Sequence, residues 1–190
     1  MEGGIMVIKQ ESFMKNVRLH FNEQGERWIN ELPSLLSYCE ERWEMRIEEP
    51  YHLSINYVAP ATMKNNKEVV VKVCIPGVEF HDEVIAISLF QNQRMNALFD
   101  FDLNKGIIIL EKLTPGYTLA EVGDEQKETL IAARLLKNLH IKVPKECPLH
   151  TTKIREENLE ELVRKNPSGL GPISAQMFQK AFEIFTYLNQ

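Results

Sequence analysis

The stretch from Glu68 to Ile75 constrains this chain more than any other. Four valines and an isoleucine stand there around a single cation, Lys72. A β-branched run of this kind reads as a buried strand, and Pro76-Gly77 closes it. A buried ammonium is costly unless it is paired. Lys72 therefore calls for an acidic partner or a ligand anion. The bland alternative is a lysine at a strand end that reaches water.

The elements around that strand change character along the chain. Before it, Phe21 to Trp43 reads as helix. Trp28, Ile29, Leu32, Leu35, Leu36 and Cys39 recur at three- and four-residue steps and form one apolar stripe. Pro33 is expected to divide it into two short helices. Three strand candidates come next: Met45 to Ile47, His52 to Ser54, and Ile55 to Ala59, the last ended by Pro60. Lys64-Asn65-Asn66-Lys67 is a polar turn. After the valine strand, Glu79 to Phe90 reads as helix, with Phe80, Val84, Ile87 and Leu89 apolar. Asn96 to Asp102 and Gly106 to Lys112 read as two strands joined by a short turn. Beyond Pro115-Gly116 the periodicity is helical. Asp124 is the expected N-cap of a helix through Leu139. Pro144 and Pro148 punctuate a loop, Asn158 to Arg164 is a short helix, 167–172 is a second loop, and Ser174 to Leu188 is the last helix. Helices, then a small sheet, then only helices make an α+β chain of two unequal parts that meet near Thr114-Pro115-Gly116. The expected divisions are an N-terminal segment with helices over 1–46, a sheet lobe over 47–115, and a partial helical lobe over 116–190.

Bulk properties exclude several classes. The chain has 190 residues and a net charge of −5, and no lysine- or arginine-rich stripe occurs in it. Nucleic acid is thus not an expected partner. The three cysteines, Cys39, Cys74 and Cys147, are dispersed. They suggest neither a disulfide framework nor a zinc pattern, and point to a reduced, cytoplasmic setting. No signal peptide or membrane span is read from the sequence. There is no Gly-x-Ser-x-Gly elbow and no Gly-x-x-x-x-Gly-Lys phosphate loop.

Lys72 gains meaning from the residues downstream of it. Glu83 lies eleven residues on, in the next helix, and a helix packed on the valine strand could turn it toward Lys72. The strand Ile107 to Leu110 runs into Glu111-Lys112-Leu113-Thr114-Pro115-Gly116. An apolar strand ending in an acidic residue, a leucine and Pro-Gly suits an adenine edge that reads exposed backbone groups. A lysine for phosphates, a glutamate to hold it and a hinge for adenine is the order of parts in the ATP-binding half of a kinase.

Four stretches carry a specific likeness. They are Gly25 to Pro33 with Trp43, Leu53 to Ala61, Val70 to Val73 with Pro76-Gly77 and Glu83 to Ala86, and Leu110 to Leu119. In order and spacing they resemble the aminoglycoside/hydroxyurea antibiotic phosphotransferase family. The likeness is to its streptomycin 6-kinase type, within the protein-kinase-like superfamily. The resemblance implies a protein-kinase-like fold: a small antiparallel-sheet lobe with preceding helices, then the first helices of an incomplete helical lobe. It implies ATP-dependent O-phosphorylation of a hydroxyl on an antibiotic-like small molecule, with magnesium in the complete family. Lys72 would contact the α- and β-phosphates and Glu83 would position it. Backbone groups at Glu111 and Leu113 would hold adenine, Val58 and Val70 would line its pocket, and Ser54 and Asn56 would fall in the hairpin over the phosphates.

The chain departs from that pattern in one respect. The family next needs a His-Gly-Asp loop, an asparagine, and a second aspartate for magnesium. After His140 the only histidine is His150, with no Gly-Asp, and after Asp124 there is no aspartate. The expectation is therefore a chain truncated before its catalytic loop, with no catalytic residue and no metal ligand of its own. The alternative is an inactive nucleotide- or protein-binding module of kinase-like fold. Asp100 and Asp102 share a strand face, yet a hairpin turn explains them better than a metal pair. The glutamates near Glu156 and Glu160 read as a solvated face. The last helix is apolar nearly all round. It is expected to self-associate or to meet a partner that supplies the missing lobe, or else to be poorly ordered.

Overall fold

The computed structural model describes residues 10–90, 95–139, 144, 146–149 and 151–189. Residues 1–9 and the two histidines His140 and His150 lie outside that set. The chain divides into two compact units, Met1–Pro144 and Lys145–Gln190.

The first unit opens with α1, Glu11–Arg42. It begins ten residues earlier than the expected Phe21, because Phe13 and Val17 extend the buried stripe by another turn. Its break is also displaced. Pro33 sits inside a continuous helix, on its exposed side. The interruption is at Asn22, with φ 50° and ψ −128°. At that bend the two helical pieces fold back on one another. The rings of Phe13 and Trp28 meet edge to face with centroids 6.0 Å apart. Gly25 permits the approach, since a Cβ there would lie 2.7 Å from the carbonyl oxygen of Val17.

A five-stranded antiparallel sheet comes next, with strand order β1-β2-β3-β5-β4. Its strands are β1 (Met45–Ile47), β2 (Tyr57–Met63), β3 (Glu68–Val73), β4 (Leu98–Asp102) and β5 (Ile107–Glu111). The valine run is β3, at the sheet's centre between β2 and β5. Residues 52–56, expected as strand, are irregular, and β2 runs through Pro60 instead of ending there. Proline is tolerated because β1 has already ended opposite it. Only the Pro60 carbonyl is still needed, and it accepts from Glu48 N–H at 2.9 Å. The turn between β4 and β5 requires Gly106, at φ 70°. A Cβ there would come within 2.2 Å of the Cys74 carbonyl oxygen, and Cys74 N–H donates to the Gly106 carbonyl at 2.8 Å.

Strand alternation gives the sheet two faces. Tyr57, Ala59, Ala61, Val69, Val71, Val73, Ile107 and Ile109 point to one of them and are almost fully buried with Val17, Trp28, Leu32, Leu36 and Cys39 of α1. Ile108, Leu110 and Leu98 point to the other and pack under α2 (Val78–Phe90) through Phe80, Val84 and Ile87. The unit continues with a 3₁₀ turn, Leu119–Val122, and α3, Glu125–Asn138. As expected, Asp124 caps α3, accepting from Lys127 N–H.

The second unit pairs α4 (Thr152–Lys165) with α5 (Ala175–Leu188). α4 starts six residues before the expected Asn158, capped by the Thr151 hydroxyl. The segment read as a loop over 167–172 contains a small hairpin, with Gly169 opposite Ser174 and Leu170 opposite Ile173. Ser174 caps α5, Phe178 is buried, and Asn189 ties the unit together by donating to Glu156 at 2.6 Å. The fold is α+β, and no described helix is long and apolar enough to cross a membrane.

Candidate functional site

Lys72 occupies the α2 side of the central strand. In the ladder it stands opposite Val58 on β2 and Ile108 on β5, while Val70 stands opposite Pro60 and Leu110. Val58, Val70 and Lys72 therefore share one sheet face. The three valines that alternate with them, Val69, Val71 and Val73, face α1 and are fully buried. Lys72 thus lies on the less covered face, and its side chain keeps 19% of its surface.

Its Nζ donates to Oε1 of Glu83. Glu83 lies one helical turn beyond Glu79 on α2, and Phe80, Val84 and Ile87 hold that helix against the sheet. The apolar stripe fixes the rotation of α2, and that rotation turns Glu83 inward. With Glu83 one-third exposed, the pair is neither a solvated surface bridge nor a sealed interior one. An ammonium held this way, with water still in reach, can receive an anion. Cys74, two residues on, is buried, and burial pushes its thiol up to about 12. It is a packing residue, not a nucleophile.

At the far end of β5 the backbone is partly committed. Glu111 N–H donates to the Ala97 carbonyl at 2.8 Å, and the Glu111 carboxylate accepts from Ala97 N–H at 3.0 Å. Lys112 crosses to Glu68 at 2.6 Å. Leu113 is 59% exposed, and among the described residues its N–H has no intramolecular partner. Of the two residues singled out for an adenine edge, Glu111 has its N–H already bonded to the Ala97 carbonyl, whereas Leu113 shows no such bond among the described residues. Gly116 turns the chain just beyond, at φ 73°.

Ser54 and Asn56 lie in the loop 48–56 that joins β1 to β2. Asn56 immediately precedes β2, two residues before the Val58–Lys72 rung. The loop is pinned by Tyr51 N–H on the Val58 carbonyl at 3.1 Å and by the buried Leu53. Gln10, which no sequence pattern marks, bonds it twice. Its Nε2 donates to the Tyr51 carbonyl and its Oε1 accepts from Leu53 N–H, each at 2.8 Å. The partners are 41 and 43 residues away, so local periodicity carries no trace of the contact.

The acidic residues of β4 serve the fold. Asp100 and Asp102 pair with Ile109 and Ile107, whose side chains face α1. Asp100 accepts from Trp43 Nε1 at 2.7 Å, and Asp102 accepts from the Tyr38 hydroxyl at 3.0 Å. The second oxygen of Asp102 accepts from the turn amides of Asn104 and Lys105. Among the described residues, no three His, Cys, Asp or Glu side chains are grouped to hold a metal ion. The described donors do not fit a magnesium site, which needs several hard oxygens around one point.

Three characterised proteins are similar to this chain. Streptomycin 6-kinase of Streptomyces griseus is 29% identical over 119 residues, covering 62% of this chain and 39% of that protein. Streptomycin 6-kinase of Streptomyces glaucescens is 27% identical over 125 residues, 65% of this chain and 40% of that one. Hydroxyurea phosphotransferase of Kitasatospora aureofaciens is 23% identical over 147 residues, 75% of this chain and 43% of that one. The match thus spans about two-fifths of each relative. No family model matches, and no solved structure does. The resemblance is to antibiotic phosphotransferases of the aminoglycoside and hydroxyurea type, over part of their length.

Proposed function

We propose that this chain carries the nucleotide-holding part of an ATP-dependent O-phosphotransferase of antibiotic-kinase type, working in the cytoplasm. The observation that supports it most is the ion pair between Lys72 and Glu83, on the sheet face shared with Val58 and Val70. In this reading residues 47–115 form the sheet lobe, 1–46 its preceding helices, and 116–190 the opening helices of a helical lobe. Lys72 binds the α- and β-phosphates, and Glu83 keeps its ammonium in place. Val58 and Val70 pack on adenine, whose edge meets the Leu113 amide and backbone of Glu111. Ser54 and Asn56 approach the phosphates from the loop. The acceptor is a hydroxyl on an antibiotic-like small molecule.

A second reading rests on the residues themselves. The sequence contains no His-Gly-Asp loop, and transfer needs a base near the acceptor hydroxyl. The chain would then bind nucleotide without transferring phosphate. Calorimetric titration with ATP tests both. We expect weak binding, nearly unchanged by magnesium, and no phosphorylation of streptomycin. No ATP binding at all would remove the proposal. A strong magnesium requirement would show that the chain supplies acidic metal ligands of its own and would count against the second reading.

The last helix adds a proposal about partners. Phe178 is buried on α5, while Met177, Ile184 and Leu188 are each more than half exposed. Each such side chain gains roughly 1.5–3 kcal/mol on burial, so the bare stripe favours a covering surface. We expect concentration-dependent self-association in light scattering, reduced by Ile184→Glu. A strict monomer at high concentration would count against it.

A further inference from the structure

We infer that Gln10 is a positioning residue for the phosphate end of the nucleotide, an assignment that rests on the proposed nucleotide site. Gln10 stands at the N-cap of α1, yet its side chain makes no capping bond to its own helix. Its amide spans the loop instead, donating to the Tyr51 carbonyl and accepting from Leu53 N–H. A primary amide offers donors and an acceptor in the same plane. It thereby matches the carbonyl of one residue and the N–H of the second residue beyond it, as a neighbouring strand would.

The loop needs such a clamp. Residues 48–56 contain no glycine and adopt no regular structure. The loop's own backbone ties to β2 are Glu48 N–H to Pro60 and Tyr51 N–H to Val58. Beyond Tyr51, the contacts that hold the loop among the described residues include Leu53 in the core and the two bonds from Gln10. Ser54 and Asn56 come directly after, leading into the Val58–Lys72 rung. Without the clamp, those two side chains sample many positions, and only a fraction of molecules presents them to an anion beside Lys72. Apparent affinity falls by that fraction. Adenosine, which has no phosphates, is insensitive to it.

The test compares ATP and adenosine on Gln10→Met, which keeps the side-chain length and removes both hydrogen bonds. Hydrogen exchange of the ligand-free chain is measured alongside. Loss of the two bonds should weaken ATP binding by about tenfold or somewhat more. Adenosine binding should be unchanged, and the amides of 51–56 should exchange faster. Equal losses for ATP and adenosine would reduce Gln10 to a general stabiliser and overturn the inference. So would unchanged ATP binding in Gln10→Met, which would leave the proposed function standing. Failure of the unmodified chain to bind ATP would overturn the proposed function and this inference together.

Discussion

Lys72→Met is expected to weaken ATP binding by about two orders of magnitude and to leave adenosine binding nearly as it was. A hydrogen bond to a charged group contributes about 1.5–3 kcal/mol, and a single ammonium can supply more than one to adjacent phosphates. Methionine keeps the stem that packs on the sheet face and removes only the charge. The fold should tolerate the change, because the pair with Glu83 is partly open to water, with side chains 19% and 33% exposed. Loss of such a bridge costs on the order of 1 kcal/mol. Glu83→Gln should give a smaller loss, since Lys72 stays charged but is less firmly held. Titration of both variants with ATP and adenosine separates the roles. If ATP and adenosine suffered alike, Lys72 would matter through folding. If ATP bound undiminished, the nucleotide would sit elsewhere.

The first unit should lose stability steeply above about pH 9. Cys39 and Cys74 are buried, and burial pushes both thiols from 9.0 up to about 12. For Cys39 the nearby Asp102 and Glu40 add to the effect. A folded thiol with a raised pKa keeps its proton, while the unfolded chain releases it near 9.0. The stabilisation is complete below that value and is lost as pH rises toward about 12. Each thiol can contribute a slope of about 1.4 kcal/mol per pH unit across the window. Two thiols over that range remove several kcal/mol, set against the roughly 5–15 kcal/mol that holds a typical domain. Tyr57 acts in the same direction, raised chiefly by burial, and Tyr38 is raised chiefly by its hydrogen bond to Asp102. Urea midpoints between about pH 7 and 11, in reductant, measure the slope. Cys74→Ala should flatten it by about one proton's worth. An unaltered slope after both cysteines are replaced would show that other groups govern alkaline unfolding.

Much of the sheet unit can be read along the chain because its signals are local. The β-branched run is β3, Ile107 to Leu110 is the body of β5, and Lys64 to Lys67 is the turn between β2 and β3. Phe80, Val84 and Ile87 define the buried side of α2 and bring Glu83 to Lys72. The misplaced features have non-local causes. Pro33 is a helix breaker by propensity, but here it lies on an exposed surface where its missing bond matters little. Pro60 survives inside β2 because β1 stops opposite it. Asn22 bends α1 because Phe13 must reach Trp28.

The sequence by itself determined the bodies of β3 and β5 and of the helices that carry apolar stripes, and it left Lys72 as the one cation in a valine strand. Those properties depend on neighbours within a few residues, where side-chain size and backbone preference act directly. Only the tertiary structure decided which face of each strand is covered and which stays open. It turned Asp100 and Asp102 toward Trp43 and Tyr38. It also brought Gln10 to a loop more than forty residues distant. Alternation creates two equivalent faces, and only the packing of α1 on one and α2 on the other makes them different.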